Sequence, residues 1–175
     1  MPTSGIIFDS CGLNGSNYFM EMTILEKLSE LKITLPDAPK AAGLYKTVLI
    51  EGRLAMFSGH LPILEDGSMM TGKVGVDLTV EEGAFAARQV GLNIIASLQS
   101  EIGDLGRVER VCKLLGMVNA EPSFTQHPLV VNGCSQLFCD IWGDDRGVGV
   151  RSAFGVSGLP GNVAVEIEGT FLLKE

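Results

Sequence analysis

Residues 147–173 read GVGVRSAFGVSGLPGNVAVEIEGTFLL. Two apolar runs flank Leu159-Pro160-Gly161-Asn162, a turn sequence in which proline presets φ and glycine accepts a left-handed backbone. Arg151 stands at the head of the first run and is the only charge between Gly147 and Gly161. In the second run, Val163 to Leu173, Val163, Val165, Ile167 and Phe171 alternate with Ala164, Glu166, Glu168 and Thr170, the pattern of a strand. A guanidinium on such a strand needs an anion to meet it, because an unpaired buried charge is costly. Two partners are open: one of the glutamates, or a ligand.

Working outward, Thr23-Ile24-Leu25-Glu26 is a capping box followed by Leu28 and Leu31, which predicts a short helix. A connector at Pro36–Pro39 follows. Thr47–Glu51 and Leu54–Ser58, joined across Gly52-Arg53, read as a hairpin ending at Ser58-Gly59-His60-Leu61-Pro62, with a polar loop running to about Asp77. Thr79 to Glu82 is a second capping box, opening a long helix stopped by Gly103. Its stripe of Ala84, Ala87, Gly91, Ile94, Leu98 and Ile102 is small enough for close packing on a sheet. Val108–Val118 is apolar on both faces and reads as a central strand. Pro128 suits the first turn of a helix with Val130, Cys134, Leu137 and Ile141 buried and Gly143 as its end. The order is helix, β, β, helix, β, helix, β, β. This is an α+β arrangement, a mixed β-sheet with two main helices packed on one face. The other face is only partly polar, which predicts burial against another subunit.

The 175 residues suffice for one domain with a real core, assigned to residues 22–175; residues 1–21 read as a weakly structured N-terminal extension. The net charge of −8, without any Lys/Arg cluster, argues against a nucleic-acid surface. A local arginine can still hold a small anion. No apolar run reaches membrane-spanning length, and the first 26 residues hold no Lys or Arg, unlike a secretory or transit signal. Cys11, Cys112, Cys134 and Cys139 form no C-x-x-C pair, and the last three fall in segments expected to be buried. Free thiols in a reducing, cytoplasmic setting follow. His60 and His127 show no metal-ligand pattern.

With these elements placed, Arg151-Ser152, Val156, Leu159-Pro160, Val163 and Val165-Glu166-Ile167-Glu168 resemble the C-terminal signature of the Rid (YjgF-like) family of reactive-intermediate enamine/imine deaminases, also called the endoribonuclease L-PSP family. Gly43-Leu44-Tyr45, Ser58-Gly59-His60-Leu61-Pro62 and Val131-Asn132 resemble further family motifs. The resemblance covers about residues 23–173. It implies a chorismate-mutase-like fold, a homotrimer with clefts between subunits, and hydrolysis of an amino-acid-derived imine to a 2-keto acid and ammonia. No metal or organic cofactor is implied. In that reading Arg151 anchors the substrate carboxylate and Glu166 positions water, the two catalytic residues. Tyr45, Ser58, Gly59, Asn132 and Ala153 line the substrate site.

Each role has a structural rival. Arg151 could pair with a glutamate, and Glu166 could be a solvated or interface carboxylate. Tyr45 could be a packed aromatic, Ser58 could bond turn backbone, and Asn132 could face solvent. His60, where the family usually has glutamine, could be a base or a structural residue. Ala153 stands where many relatives carry cysteine, and Gly161-Asn162 replaces a usual charged pair; both mark a divergent subgroup. The rival to an enzyme is a non-catalytic trimer that binds a small carboxylate in the same cleft. Ribonuclease activity suits the acidic chain poorly.

Overall fold

The computed structural model describes residues 22–175; the expected extension at residues 1–21, with Cys11, lies outside the described residues. Both capping boxes form. In α1 (Ile24–Glu30) the Thr23 hydroxyl accepts the Glu26 N–H, and the Glu26 carboxylate accepts the Thr23 N–H at 2.8 Å. Thr79 and Glu82 repeat this at α2 (Val80–Ile102), which Gly103 closes at φ 77. Each cap satisfies backbone donors that the helix cannot, an effect of about 1 kcal/mol.

The hairpin is β1 (Val48–Glu51) and β2 (Leu54–His60), turning at Gly52 with φ 58. After α2 come β3 (Val108–Asn119), α3 (His127–Gly147), β4 (Val150–Val156) and β5 (Val165–Leu173). The sheet order is β1-β2-β5-β3-β4. Only β3–β4 is parallel, because α3 carries the chain back between them; the other pairs are antiparallel. The mixed sheet with α2 and α3 on one face is the fold expected. Between the layers, Phe57, Phe138, Trp142 and Phe171 stack with centroids 5.1–5.7 Å apart.

Four details depart from the sequence reading. First, the small residues of α2 serve the neighbouring helix more than the sheet. A Cβ on Gly91 would meet the Leu137 and Cys134 side chains of α3, and a Cβ on Gly133 would overlap the Ala84 carbonyl. The glycines that bring α3 onto the sheet include Gly116 of β3, where a Cβ would crowd Val131, and Gly155 of β4, where it would meet the His127 ring. Second, Gly143 (φ 79, ψ 169) breaks the regular helix as expected, but a further helical turn runs on to Gly147. The last turn persists because Arg146 donates to the carbonyls of Val108 and Glu109 at the start of β3. Third, β2 continues past Ser58 through Gly59 and His60, with a register shift between Phe57 and His60. Fourth, the polar loop is folded: bridges join Ile63 to Met69, Thr71 to Val163 and Val74 to Ala120. Of the described cysteines only Cys134 is buried; Cys112 and Cys139 are half-buried, and all three are free thiols.

The uncovered face of the sheet mixes Leu49, Leu54, Val150 and Phe154, all more than two-fifths exposed, with Glu166 and Glu168. Gly133→Ala should lower unfolding free energy by about 1–3 kcal/mol, since the new methyl meets backbone that cannot give way. A urea melt measures this; an unchanged midpoint would show that the helices can separate freely.

Candidate functional site

The site residues gather in two groups. The first lies where α3 covers β4. Arg151 Nη1 donates to Asn132 Oδ1 and to Ser135 Oγ, both at 2.9 Å, and Nη2 donates to the Pro128 carbonyl at 3.3 Å. One edge of the guanidinium is thereby fixed by uncharged acceptors. Among the described residues no carboxylate forms an ion pair with it. Asn132 and Ser135 are one helical turn apart, so their side chains share a face of α3 and reach one target. Ala153, two residues on, shares the Arg151 face and packs on the core. Beneath lies buried Cys134, whose thiol burial pushes up, against a smaller opposing pull from the Arg151 charge.

The second group surrounds the register shift in β2. A Cβ on Gly59 would overlap the Glu166 carboxylate, so glycine is what lets this acid lie against the strand. Glu166 is half-buried. Burial first, and the nearby charge of Glu168 second, hold its carboxyl above the ordinary carboxylate range. Tyr45 stands at the edge of the same group; its hydroxyl accepts the Ala42 N–H at 3.2 Å. Gly59 and Tyr45 both line a cavity of about 330 Å³. Ser58 is tied to the neighbouring strand: its N–H donates to the Thr47 carbonyl at 3.0 Å and its hydroxyl reaches the same oxygen at 3.5 Å.

The two groups do not meet within one chain. Leu114 pairs with both Arg151 and Gly169, and Met117 pairs with both Phe154 and Glu166. Paired residues share a face, and positions three apart do not. Arg151 therefore points to the helix-covered face and Glu166 to the open one, two strands away, about 10 Å across the sheet and about as far again along the strands. The glutamates of β5 are thus not the partner of Arg151 within its own chain.

His60 has a structural placement. It is buried, Nδ1 lies 2.7 Å from the Ser58 carbonyl, and Nε2 lies 2.9 Å from the Ser97 hydroxyl of α2. A carbonyl only accepts, so Nδ1 carries the proton and Nε2 accepts from Ser97. Burial lowers the His60 pKa, against a smaller raising effect of the Ser58 bond. The ring is neutral and pins the shifted segment of β2 to α2. Sequence reasoning missed Ser97 and Ser135, and also Asn93, whose Nδ2 donates to the Leu61 and Ile63 carbonyls at 3.0 Å each. The signal for Ser135 was its spacing from Asn132. Asn93 and Ser97 were legible only as polar residues on an otherwise apolar helix stripe.

Among the described residues, no group of three His, Cys, Asp or Glu is placed to hold a metal ion, and no helix is long and apolar enough to cross a membrane.

A sheet of this order, two covering helices and a strand-borne arginine facing α3 define a class, and comparison with known proteins gives the same one. The family model described as "YjgF/chorismate mutase-like, putative endoribonuclease" matches residues 26–165. The chain belongs to this family. Protein TCP17 of Trypanosoma cruzi is 41% identical over 145 residues, covering 83% of this chain and 91% of that protein. The crystal structure of Atu1372 from Agrobacterium tumefaciens, a protein of unknown function, is similar with a TM-score of 0.78 and 36% identity, covering 87% of this chain and 94% of that one. A Shewanella oneidensis structure, also described as an endoribonuclease of that provisional kind, has a TM-score of 0.82 and 31% identity over 87% of this chain and all of its own.

The neutral state of His60 carries a pH dependence. Its folded pKa lies below the unfolded value of about 6.5, so the unfolded chain binds a proton that the folded chain refuses. Stability from this group is fully present above pH 6.5 and is lost as pH falls from there through the lowered folded pKa. His60→Gln, which keeps a polar side chain but cannot titrate, should flatten that slope in melts between pH 7.5 and 5.5. A slope unchanged by the substitution would place its origin elsewhere.

Proposed function

We propose that this chain is an enamine/imine deaminase, hydrolysing reactive imines of amino-acid metabolism to 2-keto acids and ammonia, and that it works as a homotrimer. The observation that carries the reading is the oriented guanidinium of Arg151, held by uncharged acceptors and, among the described residues, without a carboxylate partner. Such a group is preorganised for a carboxylate from outside. Because Glu166 occupies the opposite face, a site using both residues is assembled from two copies. Arg151 of one subunit then faces Glu166, Gly59 and Tyr45 of the next, and the partly apolar open face supplies the surface for assembly.

In this cleft, Arg151 Nε and the remaining Nη2 proton hold the substrate carboxylate and so fix the C=N carbon. Glu166, with its raised pKa, takes a proton from water as the water oxygen adds to that carbon, and passes a proton to nitrogen. A second transfer, from the hydroxyl of the carbinolamine to nitrogen, breaks the C–N bond. Ammonia leaves and the carbonyl remains. An enamine enters the same path once its β-carbon is protonated. Asn132 serves here through Arg151, as a positioning residue beside Ser135. The acidity of the chain, −8 overall, gives no support to an RNA substrate.

The test generates 2-aminoacrylate and related imines in situ and follows keto-acid release. Arg151→Ala should lower kcat/KM about 30-fold or more, the loss of a charge-assisted pair. Ser135→Ala should raise KM more than it lowers kcat. Glu166→Gln should lower kcat about 100-fold and abolish an acid limb whose midpoint lies above the ordinary carboxylate value of 4.5. Gly59→Ala should displace the Glu166 carboxylate and reduce turnover with little change in Tm, because the overlapped group is the end of a flexible side chain. Hydrolysis of several imines no faster with wild-type protein than in buffer would overturn the proposal.

A further inference from the structure

The cavity beside Gly59 has a composition of its own. Pro39, Leu61, Ile63, Met69 and Pro160 give it an apolar wall, with Tyr45, Thr47 and His60 beside them; among the described residues, Lys40 is the one charged side chain on it and no carboxylate lines it. A neighbouring cavity, by contrast, is lined by Asp37 and Glu65.

Its wall is also held in place. Asn93, 1% exposed, fixes the Leu61 and Ile63 carbonyls to α2. The Leu64 N–H donates to the Ser68 carbonyl at 2.8 Å, closing a small hairpin that brings Met69 back beside Ile63. The Ala164 N–H donates to the Met70 carbonyl at 3.0 Å, tying that hairpin to the chain entering β5. On the far wall Gly161 takes a left-handed backbone, φ 59, beside the Met69 methyl. A preformed apolar cavity rewards an apolar group, and the exposed, solvent-screened charge of Lys40 returns little of the hydration that an acidic side chain would lose there. Gly59 connects this cavity to the chemistry: it lines the cavity, and the Glu166 carboxylate occupies the place of its missing side chain.

We infer that this cavity receives the substrate's side chain, so that the chain acts on 2-imino acids bearing branched aliphatic or aromatic groups in preference to three-carbon or acidic ones. The inference rests on the deaminase reading, and binding of the product keto acids tests it separately from turnover. With the full-length protein, affinities for 4-methyl-2-oxopentanoate, phenylpyruvate, pyruvate and 2-oxoglutarate are measured by calorimetry. Rates are measured on imines generated from leucine, phenylalanine, alanine and glutamate by an amino-acid oxidase. The leucine-derived ligand should exceed the alanine-derived one by about tenfold or more in both measurements, since each methylene in an apolar pocket is worth roughly tenfold or more. Ala42→Phe, filling the cavity from its exposed rim, should collapse that ratio toward one. Met69→Ala, enlarging it, should move the preference toward the phenylalanine-derived ligand, with a thermal melt confirming that each variant is folded. Equal or better binding of pyruvate or 2-oxoglutarate overturns the inference, as does a ratio that neither folded variant moves. Selective keto-acid binding without turnover keeps the cavity assignment and removes the deaminase; turnover without selectivity does the reverse.

Discussion

Side chains alternate between the two faces of a sheet, and here that alternation sends Arg151 to the face under α3 and Glu166 to the open one. Every functional statement about this chain is bounded by it. No rotamer of either side chain removes two strands and a change of face. A single copy therefore offers two candidate half-sites: a guanidinium held by uncharged acceptors and an acid beside a cavity. The same alternation lays Leu49, Leu54, Val150 and Phe154 on the open face, where an isolated copy would leave them in water. In the proposed assembly, completing the site and covering that face would be met by the same event, the approach of another copy.

Three glycines keep these half-sites in shape, each by a different close approach. Gly116 lets α3 settle on β3 against Val131, which sets the height of Asn132 and Ser135 above Arg151. Gly133 lets α3 touch the α2 backbone at Ala84, fixing the helix from its other side. Gly59 admits the Glu166 carboxylate. The first two contacts are against a branched side chain and a backbone carbonyl and belong to the fold. The third is against a mobile carboxylate and belongs to the site. The kind of atom met, more than the tightness of the contact, separates a glycine that stabilises from one that positions a reacting group.

Much of this could be read from the residues alone, and the limits are physical. Thr23-Glu26 and Thr79-Glu82 announced their helices because a capping box is local. The Gly52-Arg53 hairpin and the Pro160 turn were legible for the same reason. The resemblance carried by Arg151 to Glu168 placed the family. What could not be read was register. Whether Arg151 and Glu166 share a face depends on which residues of β3 lie between them, and nothing in β4 or β5 records that. The same holds for His60: its partner Ser97 lies 37 positions away on α2, and only the packed structure shows that the ring is buried, neutral and spent on holding β2. The small residues of α2 were recognised, but assigned to the sheet, because a stripe reports that something comes close and not what.

Ala153 is where the chemistry narrows. It shares the face of Arg151 and packs against the core, so the wall there is an inert methyl with no nucleophile. The nearby thiol, Cys134, is buried and held in its protonated form, which removes it as a substitute. Among the described residues, a covalent route through sulfur at this arginine therefore lacks its atom. Attack by water does not need one, because an imine carbon is already electrophilic and gains mainly from being held still beside a base. The demand then falls on placement: Asn132, Ser135 and the Pro128 carbonyl hold the guanidinium, and Gly59 and burial tune the carboxylate. Neither group is a strong reagent. Under the proposed reading, their combined effect depends on how rigidly two copies bring them to opposite ends of one small molecule, and the interface between copies would then belong to the catalytic apparatus.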